Sequence, residues 1–193
     1  MHPRDPCAAL DLSRRWRGTP AALWDTCVTL AELNGASPAE AVRELQRCCG
    51  SARWVASMLS RRPFENADAL LRAADESWWA LGTADWLEAF SHHPRIGDRA
   101  AGWAADEQSG VRGASAEATK ELAQLNRQYE RKFNHVFLIF ASGKDADMML
   151  DELRRRITQD PATELRTAAG EQAKITALRL QRLLAVHNST GAP

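Results

Sequence analysis

Helix-start signals recur along this sequence and constrain its fold more than any other feature. Ser37-Pro38-Ala39-Glu40 combines an N-cap serine, a proline in the first turn and a glutamate that completes a capping box. Alanine, leucine, arginine and glutamate dominate the composition, whereas there is only one tyrosine and β-branched valine and isoleucine are scarce. Polar residues precede further helical patterns at Asn66, Thr83, Ser115, Asp145 and Asp160. The sequence therefore predicts an all-α bundle of about seven to eight helices, with no sheet.

The length of 193 residues fits a single domain. Residues 1–24, rich in proline and arginine, are expected to form a flexible lead-in, residues 25–187 the helical domain and residues 188–193 a tail. Hydrophobic residues make up 45% of the chain, which is enough for a core that needs neither disulfide bonds nor a metal.

Charge and cysteine content exclude several kinds of partner. The 25 basic and 25 acidic side chains balance, so the chain lacks the positive field typical of nucleic-acid-binding proteins. No apolar run approaches the ~20 residues of a membrane span, and the N-terminus lacks the apolar core of a secretory signal. The four cysteines form no Cys-x-x-Cys pair, and a bond between adjacent Cys48 and Cys49 would be strained. We therefore expect a cytoplasmic protein with free thiols.

The segment from Ser91 to Gly113 interrupts the helices with glycines and prolines, and it carries the first candidate site residue. His93 precedes Pro94, which favours an extended backbone just beyond a helix end, where the helix dipole favours a protonated imidazole. An imidazole titrates near neutral pH and suits proton transfer. The alternative interpretation is a histidine that only satisfies the helix end.

Two further candidates are polar residues in helical contexts. Glu107 and Gln108 place a carboxylate beside an amide, which suits a ring with N–H and C=O groups, or else they form a solvated helix end. Arg179 falls on an apolar helix face, and a buried arginine requires either an internal carboxylate or an anionic ligand. Arg182 lies close to the same face.

Other motifs are absent or structural. The sequence contains no G-x-G-x-x-G, P-loop, G-x-S-x-G or H-E-x-x-H pattern. Its histidines and acidic residues do not have the spacing of a metal site. The run from Val136 to Phe140 is too short for a helix of its own, so we expect a buried extended connector.

Short motifs follow one another in a fixed order between about residues 29 and 185. They include Leu33-Asn34, Cys48-Cys49-Gly50-Ser51 with Trp54, Arg62-Pro63-Phe64, Trp86-Leu87-Glu88-Ala89-Phe90, the stretch 93–98 (His-Pro-Arg-Ile-Gly-Asp), Glu107-Gln108-Ser109-Gly110, Leu125-Asn126 with Tyr129, the stretch 132–137 and the stretch 175–180. This ordered set resembles the OHCU decarboxylases, which act on 2-oxo-4-hydroxy-4-carboxy-5-ureidoimidazoline (OHCU) in urate breakdown.

The resemblance implies an all-helical, cofactor-free carboxy-lyase that needs no metal, forms a homodimer and converts OHCU to (S)-allantoin and CO₂. Carried over residue by residue, the catalytic residues are His93 and Glu107, which we expect to be paired by a hydrogen bond. The implied substrate-binding residues are Pro94, Gln108, Arg179 and the backbone of Phe137, Leu138 and Ile139. The sequence departs from the family at Ala104, where some members carry serine, and at Asn134, where glycine is usual. A non-catalytic ligand-binding or interaction protein with this fold, or a lyase for a related ureido-imidazole acid, are the alternatives.

Overall fold

The computed structural model of this chain describes residues 28–97, 103–111 and 114–184. The expected lead-in, residues 1–24, and tail, residues 188–193, lie outside these ranges, as does the end of the last predicted helix beyond residue 184. The domain boundaries therefore stay predictions.

The described residues form nine α-helices and one 3₁₀ turn, with no strand among them. The α-helices are α1 (Leu30–Gly35), α2 (Pro38–Cys48), α3 (Ala52–Ser60), α4 (Ala67–Trp79), α5 (Thr83–Ser91), α6 (Trp103–Glu107), α7 (Ala116–Phe133), α8 (Ala146–Arg156) and α9 (Pro161–Leu183), and the 3₁₀ turn is Ser109–Val111. The predicted all-α fold is confirmed. Helix α1 was not predicted, and it brings the helix count above the expected seven to eight.

The predicted caps define most helix starts. The side chains of Ser37, Asn66, Ser115, Asp145 and Asp160 each accept a backbone N–H from the first turn of the helix that follows. The start of α5 differs from the prediction, because Thr83 is its first residue and Gly82 precedes it as N-cap. Gly82 has no side chain that could accept a hydrogen bond from the helix. Instead, its backbone N–H donates to the Asp85 carboxylate at 3.1 Å.

Two hydrophobic clusters organise the bundle. In the larger cluster, α9 packs against α2 and α4, and the indole of Trp78 donates to the Ala169 carbonyl at 2.9 Å. Small residues at this point of α9 let the indole reach the backbone. The smaller cluster joins α7 and α8 around the fully buried Tyr129 and Leu153. The segment between α7 and α8 contributes to both clusters.

This segment is the connector that the sequence predicted between residues 136 and 140. Helix α7 ends at Phe133 and is capped by Asn134, whose φ of 59° is left-handed. Asparagine tolerates that conformation better than other non-glycine residues, so it can occupy a position where the resemblance implies glycine. The residues that follow are non-helical, and Phe137, Leu138 and Ile139 are no more than 3% exposed, as expected.

Within the three described ranges, no helix combines the length and apolar character that crossing a membrane requires.

Candidate active site

His93 lies immediately beyond α5. Its backbone N–H donates to the Phe90 carbonyl at 3.1 Å, and Pro94 prevents the helix from continuing. The neighbouring His92 packs its ring on Gly50, where an added Cβ would come within 2.5 Å of the imidazole. A glycine at this position therefore allows the end of α5 to approach the junction of α2 and α3, which fixes where His93 emerges.

The loop that follows His93 is held by α7. The Arg95 guanidinium donates to both carboxylate oxygens of Glu130, at 2.5 and 2.8 Å. The buried Asn126 amide donates to the Ile96 carbonyl at 2.9 Å. These contacts tie the backbone after the imidazole to a long helix and limit its movement.

Glu107 and Gln108 come from the end of α6. Glu107 is 6% exposed, so its carboxylate is not a solvated helix end. The Gln108 side-chain oxygen accepts the Gly97 N–H at 3.1 Å, which links α6 to the loop after His93. Gly110 contacts the connector so closely that an added Cβ would lie 1.8 Å from the Lys144 carbonyl oxygen. Only a glycine fits there, and its close approach docks the segment bearing the carboxylate against the end of the connector.

Arg179 of α9 pairs with Glu107. Its Nε and Nη2 donate to the two carboxylate oxygens at 2.9 and 2.8 Å, a bidentate geometry. The side chains of Arg179 and Glu107 are 11% and 8% exposed. Arg182 stays 3.7 Å from the same carboxylate and is 31% exposed. The internal carboxylate that the apolar setting of Arg179 demanded is therefore Glu107, which lies 72 residues earlier in the chain.

The electrostatic setting of His93 differs from the sequence expectation. Burial, followed by the positive charge of Arg179, lowers the pKa of His93 to about 3, while the nearby polar Gln172 side chain opposes the shift. The helix dipole was expected to favour a protonated ring. Burial outweighs that effect because desolvation penalises the charged imidazole, so the ring is neutral near pH 7.

The candidate residues converge on one small cavity. Its walls contain His93, Pro94, Ile96, Ala104, Glu107, Gln108, the connector from Phe137 to Ser142, and Ile175. Arg179 is not part of the wall, but it is hydrogen-bonded to Glu107, which is. A bond between His93 and Glu107 was expected, but in the described residues the Glu107 carboxylate is hydrogen-bonded to Arg179. Ala104 lies in the wall, at a position where the resemblance implied serine in some members.

The connector offers peptide groups to this cavity. The Leu138 carbonyl accepts from Arg156 at 2.6 Å, and the Phe140 N–H donates to Glu171 at 2.7 Å. Within the described part of the chain, neither the N–H nor the C=O of Ile139 has a hydrogen-bond partner, although this residue is 3% exposed. Buried peptide groups are nearly always paired, so the Ile139 peptide groups are suited to bind a ligand or water in the cavity.

A second charged network lies behind the connector. Arg156 and Glu164 are both fully buried, and Arg156 Nε donates to the carboxylate at 2.9 and 3.2 Å. Tyr129 donates its hydroxyl to the same carboxylate. The Arg156 guanidinium also stacks 4.8 Å from the centre of the Phe137 ring. This network therefore supports the cavity wall from the side opposite the cavity.

Sequence reasoning missed the supporting residues Arg156, Glu171 and Gln172. Arg156 belongs to the run Arg154-Arg155-Arg156, which is typical of a solvated helix end. A helical wheel gives the available signal, because Arg156 follows the buried Met149 and Leu153 by seven and three residues.

No cluster of three or more histidine, cysteine or acidic side chains suited to a metal ion occurs in the described ranges.

Comparison with known proteins completes the description of the site. A family model described as OHCU decarboxylase matches residues 34–181. The chain belongs to the OHCU decarboxylase family. All the wall residues of the cavity fall inside the matched range.

Individual OHCU decarboxylase relatives cover the chain to different extents. The uric acid degradation bifunctional protein TTL of Arabidopsis thaliana is 37% identical over 72% of this chain and 46% of its own length. The OHCU decarboxylase of Haloferax volcanii is 27% identical over 66% of this chain and 79% of its own length. The chain spans less than half the length of several curated relatives that it matches, the Arabidopsis and mouse proteins among them.

Solved structures of the family share the fold. A crystal structure of OHCU decarboxylase in the presence of (S)-allantoin is 38% identical, with a TM-score of 0.68 over 74% of this chain and 97% of that chain. A crystal structure of (S)-allantoin synthase has a TM-score of 0.66 at 18% identity, over 81% of this chain and 54% of that chain, which is a likeness of fold alone.

Proposed function

We propose that this protein catalyses the decarboxylation of OHCU to (S)-allantoin and CO₂ in urate breakdown. The observation that carries the proposal is a neutral, half-buried imidazole sharing one cavity with an ion-paired carboxylate and an amide, in a chain of this family. The related crystal structure in the presence of (S)-allantoin supports the same substrate class.

The reaction breaks the bond between the substrate carboxylate and the ring carbon that also bears the hydroxyl. CO₂ leaves, the released electron pair forms a C=C bond to the neighbouring ring carbon, and the pair of that carbon's C=N bond moves to nitrogen, which takes one proton from solvent. The hydroxyl proton then leaves as a C=O bond forms, and the neighbouring ring carbon gains a proton. The substrate's own conjugated ring therefore accepts the electron pair, and the protein contributes positioning and proton transfer.

His93 is suited to move that proton. Burial keeps its pKa low, so the imidazole is uncharged at neutral pH, and its free ring nitrogen is suited to accept the hydroxyl proton as the C=O bond forms. The protonated ring is then strongly acidic and returns the proton to the neighbouring carbon. Transfer from one side chain to one face of the ring yields a single enantiomer, as (S)-allantoin requires.

The other wall groups hold the substrate. Glu107, fixed by Arg179, presents a carboxylate of defined orientation to N–H groups of the ureido-imidazoline. Gln108 offers an amide with both donor and acceptor atoms. The peptide groups of Ile139, which have no partner among the described residues, complement the N–H and C=O groups of the same ring. Pro94 adds an apolar surface beside His93.

The test is direct. OHCU is generated in situ from urate, the protein is added, and the optical activity of allantoin is followed against buffer alone. Optically active allantoin should form faster with the protein, and His93→Asn should reduce the rate about 10²- to 10⁴-fold while the helical circular dichroism stays unchanged. His92→Asn is the matched control, because this exposed neighbour does not line the cavity.

Different results would refute the decarboxylase activity and the role of His93. A wild-type protein that adds nothing to the buffer rate would refute the decarboxylase activity, and binding of (S)-allantoin without turnover would favour a ligand-binding protein. Full activity of His93→Asn would refute the role of the imidazole alone.

We also propose that the protein is a cytoplasmic homodimer. The family resemblance supports the dimer, and Cys48 and Cys49 are free thiols, which suits a reducing compartment. Light scattering should give twice the 21.4 kDa of one chain. A molar mass equal to one chain at micromolar concentration would refute the dimer.

A further inference from the structure

The connector contacts the rest of the protein through alternate residues. Arg156 binds the Leu138 carbonyl at 2.6 Å, while Glu171 and Lys144 bind the N–H and C=O of Phe140 at 2.7 and 2.9 Å. In an extended backbone, the peptide groups of residues i and i+2 point to the same side, and those of the residue between them point to the other. The anchored groups therefore lie on one side of the connector.

The groups of Ile139, between the two anchored residues, are left on the opposite side. They are buried and have no partner in the described ranges. Ile139 lines the cavity together with Leu138 and Phe140, whose anchored peptide groups are already bound elsewhere. If the connector shifted by one residue, the peptide groups of Ile139 would take the place of those of Leu138 and Phe140. The groups that are now anchored would then point toward the cavity. Something must therefore hold the register before a ligand arrives.

We propose that Glu171 is a positioning residue of this site, because its carboxylate accepts the Phe140 N–H and thereby keeps the Ile139 peptide groups directed at the substrate. The inference rests on the proposed function for the identity of that substrate. Glu171 does not line the cavity and touches no reacting atom, so it acts through the backbone alone.

The surroundings of Glu171 make this role separable from a stabilising one. One carboxylate oxygen binds the Phe140 N–H, and the other binds Lys174 Nζ at 2.5 Å. The Glu171 side chain is 14% exposed and that of Lys174 is 61% exposed. Lys174→Ala therefore removes the ion pair without touching the connector, and Glu171→Gln keeps an oxygen that can accept the Phe140 N–H.

The experiment measures KM and kcat for OHCU generated in situ, together with the Kd for (S)-allantoin by calorimetry. Glu171→Ala should raise KM and Kd about five- to tenfold, the effect of one hydrogen bond, with kcat changed much less. Glu171→Gln and Lys174→Ala should stay within about twofold of the wild type, since both keep the contact with the connector.

Several results would overturn the inference. Unchanged KM and Kd in Glu171→Ala would do so, as would an equal loss in Lys174→Ala, which would make the ion pair responsible. Equal damage in Glu171→Gln would show that charge and not the acceptor matters. If Glu171→Ala fails to fold, Glu171→Asp, whose carboxylate is too short to reach Phe140, decides by the same KM and Kd criteria. An inactive wild type would refute the proposed function, while the Kd for (S)-allantoin would still test Glu171.

Discussion

Two arginine–carboxylate pairs in this protein have nearly the same local chemistry and different surroundings. Arg156 and Glu164 are completely buried, and Tyr129 and the Leu138 carbonyl complete their hydrogen bonds. Arg179 and Glu107 are bidentate too, but Glu107 faces the cavity and a second arginine, Arg182, approaches it. The first pair is closed to any ligand, and the second is accessible to one.

The difference teaches that an ion pair alone does not identify a site. A closed pair with every donor and acceptor satisfied can only support the fold and shape neighbouring backbone. An open pair also sets the electrostatics of its surroundings, and the charge of Arg179 is one cause of the lowered pKa of His93. Five predictions test this distinction and its consequences, beginning with the largest effect.

Breaking the closed pair should mainly affect stability. Arg156→Met leaves the Glu164 carboxylate buried without its cation, so we expect the free energy of unfolding to fall by about 3–5 kcal/mol. Urea unfolding followed by circular dichroism measures the change. The double variant Arg156→Met/Glu164→Leu should recover much of the loss, because no unpaired charge remains. No recovery would contradict the assignment of the loss to an unpaired buried charge.

Breaking the open pair should mainly affect activity. Arg179→Met removes the group that orients Glu107, and we expect kcat/KM for OHCU to fall about 100-fold or more. The loss of stability should be smaller than in Arg156→Met, since Arg182 remains 3.7 Å from the carboxylate. Equal losses of stability in Arg156→Met and Arg179→Met, with the same activity in both, would contradict the distinction between a structural pair and a functional pair.

The two arginines also differ in their influence on His93. The pKa of His93 is lowered by burial first and by Arg179 second, so Arg179→Met should raise it while leaving it below the ordinary 6.5. Arg156→Met should not move it, because Arg156 is not among the causes. NMR titration of the imidazole measures both. A His93 pKa that is the same in Arg179→Met and the wild type would contradict the electrostatic link.

The same titration has a consequence for stability. The unfolded chain protonates His93 near its ordinary pKa of 6.5, whereas the folded protein resists protonation down to about 3. The free energy of unfolding should therefore fall as the pH drops from 6.5 toward 3. Burial also lowers the pKa of His135, which adds to the slope. His93→Asn should flatten the slope in part.

The sequence predicted the helix starts well because caps are local. Ser37, Asn66, Ser115, Asp145 and Asp160 each contact a backbone N–H within three residues, so a short window contains the whole signal. Helix α1 was missed although Thr29 and Glu32 form a capping box there, because six residues carry too little periodicity.

The site was harder to predict from the residues alone. The apolar setting of Arg179 indicated that it needs a partner, yet nothing in the chain identifies a carboxylate 72 residues away. The motif resemblance supplied His93, Glu107 and the connector as a set. It did not reveal that burial makes His93 neutral, since burial depends on how α5 and α9 pack. Arg156 and Glu171 stayed hidden because their contacts are with the backbone of a distant segment.

The smallest expected effect concerns Arg182, the other arginine near Glu107. Its guanidinium is about one-third exposed and 3.7 Å from the carboxylate, so the interaction is weakened by solvent. Arg182→Gln should therefore change the free energy of unfolding by less than about 1 kcal/mol and kcat/KM by less than about fivefold. Side-by-side kinetics with Arg179→Met make the comparison. If Arg182→Gln lowered kcat/KM more than Arg179→Met did, Arg182 and not Arg179 would be the arginine that orients Glu107.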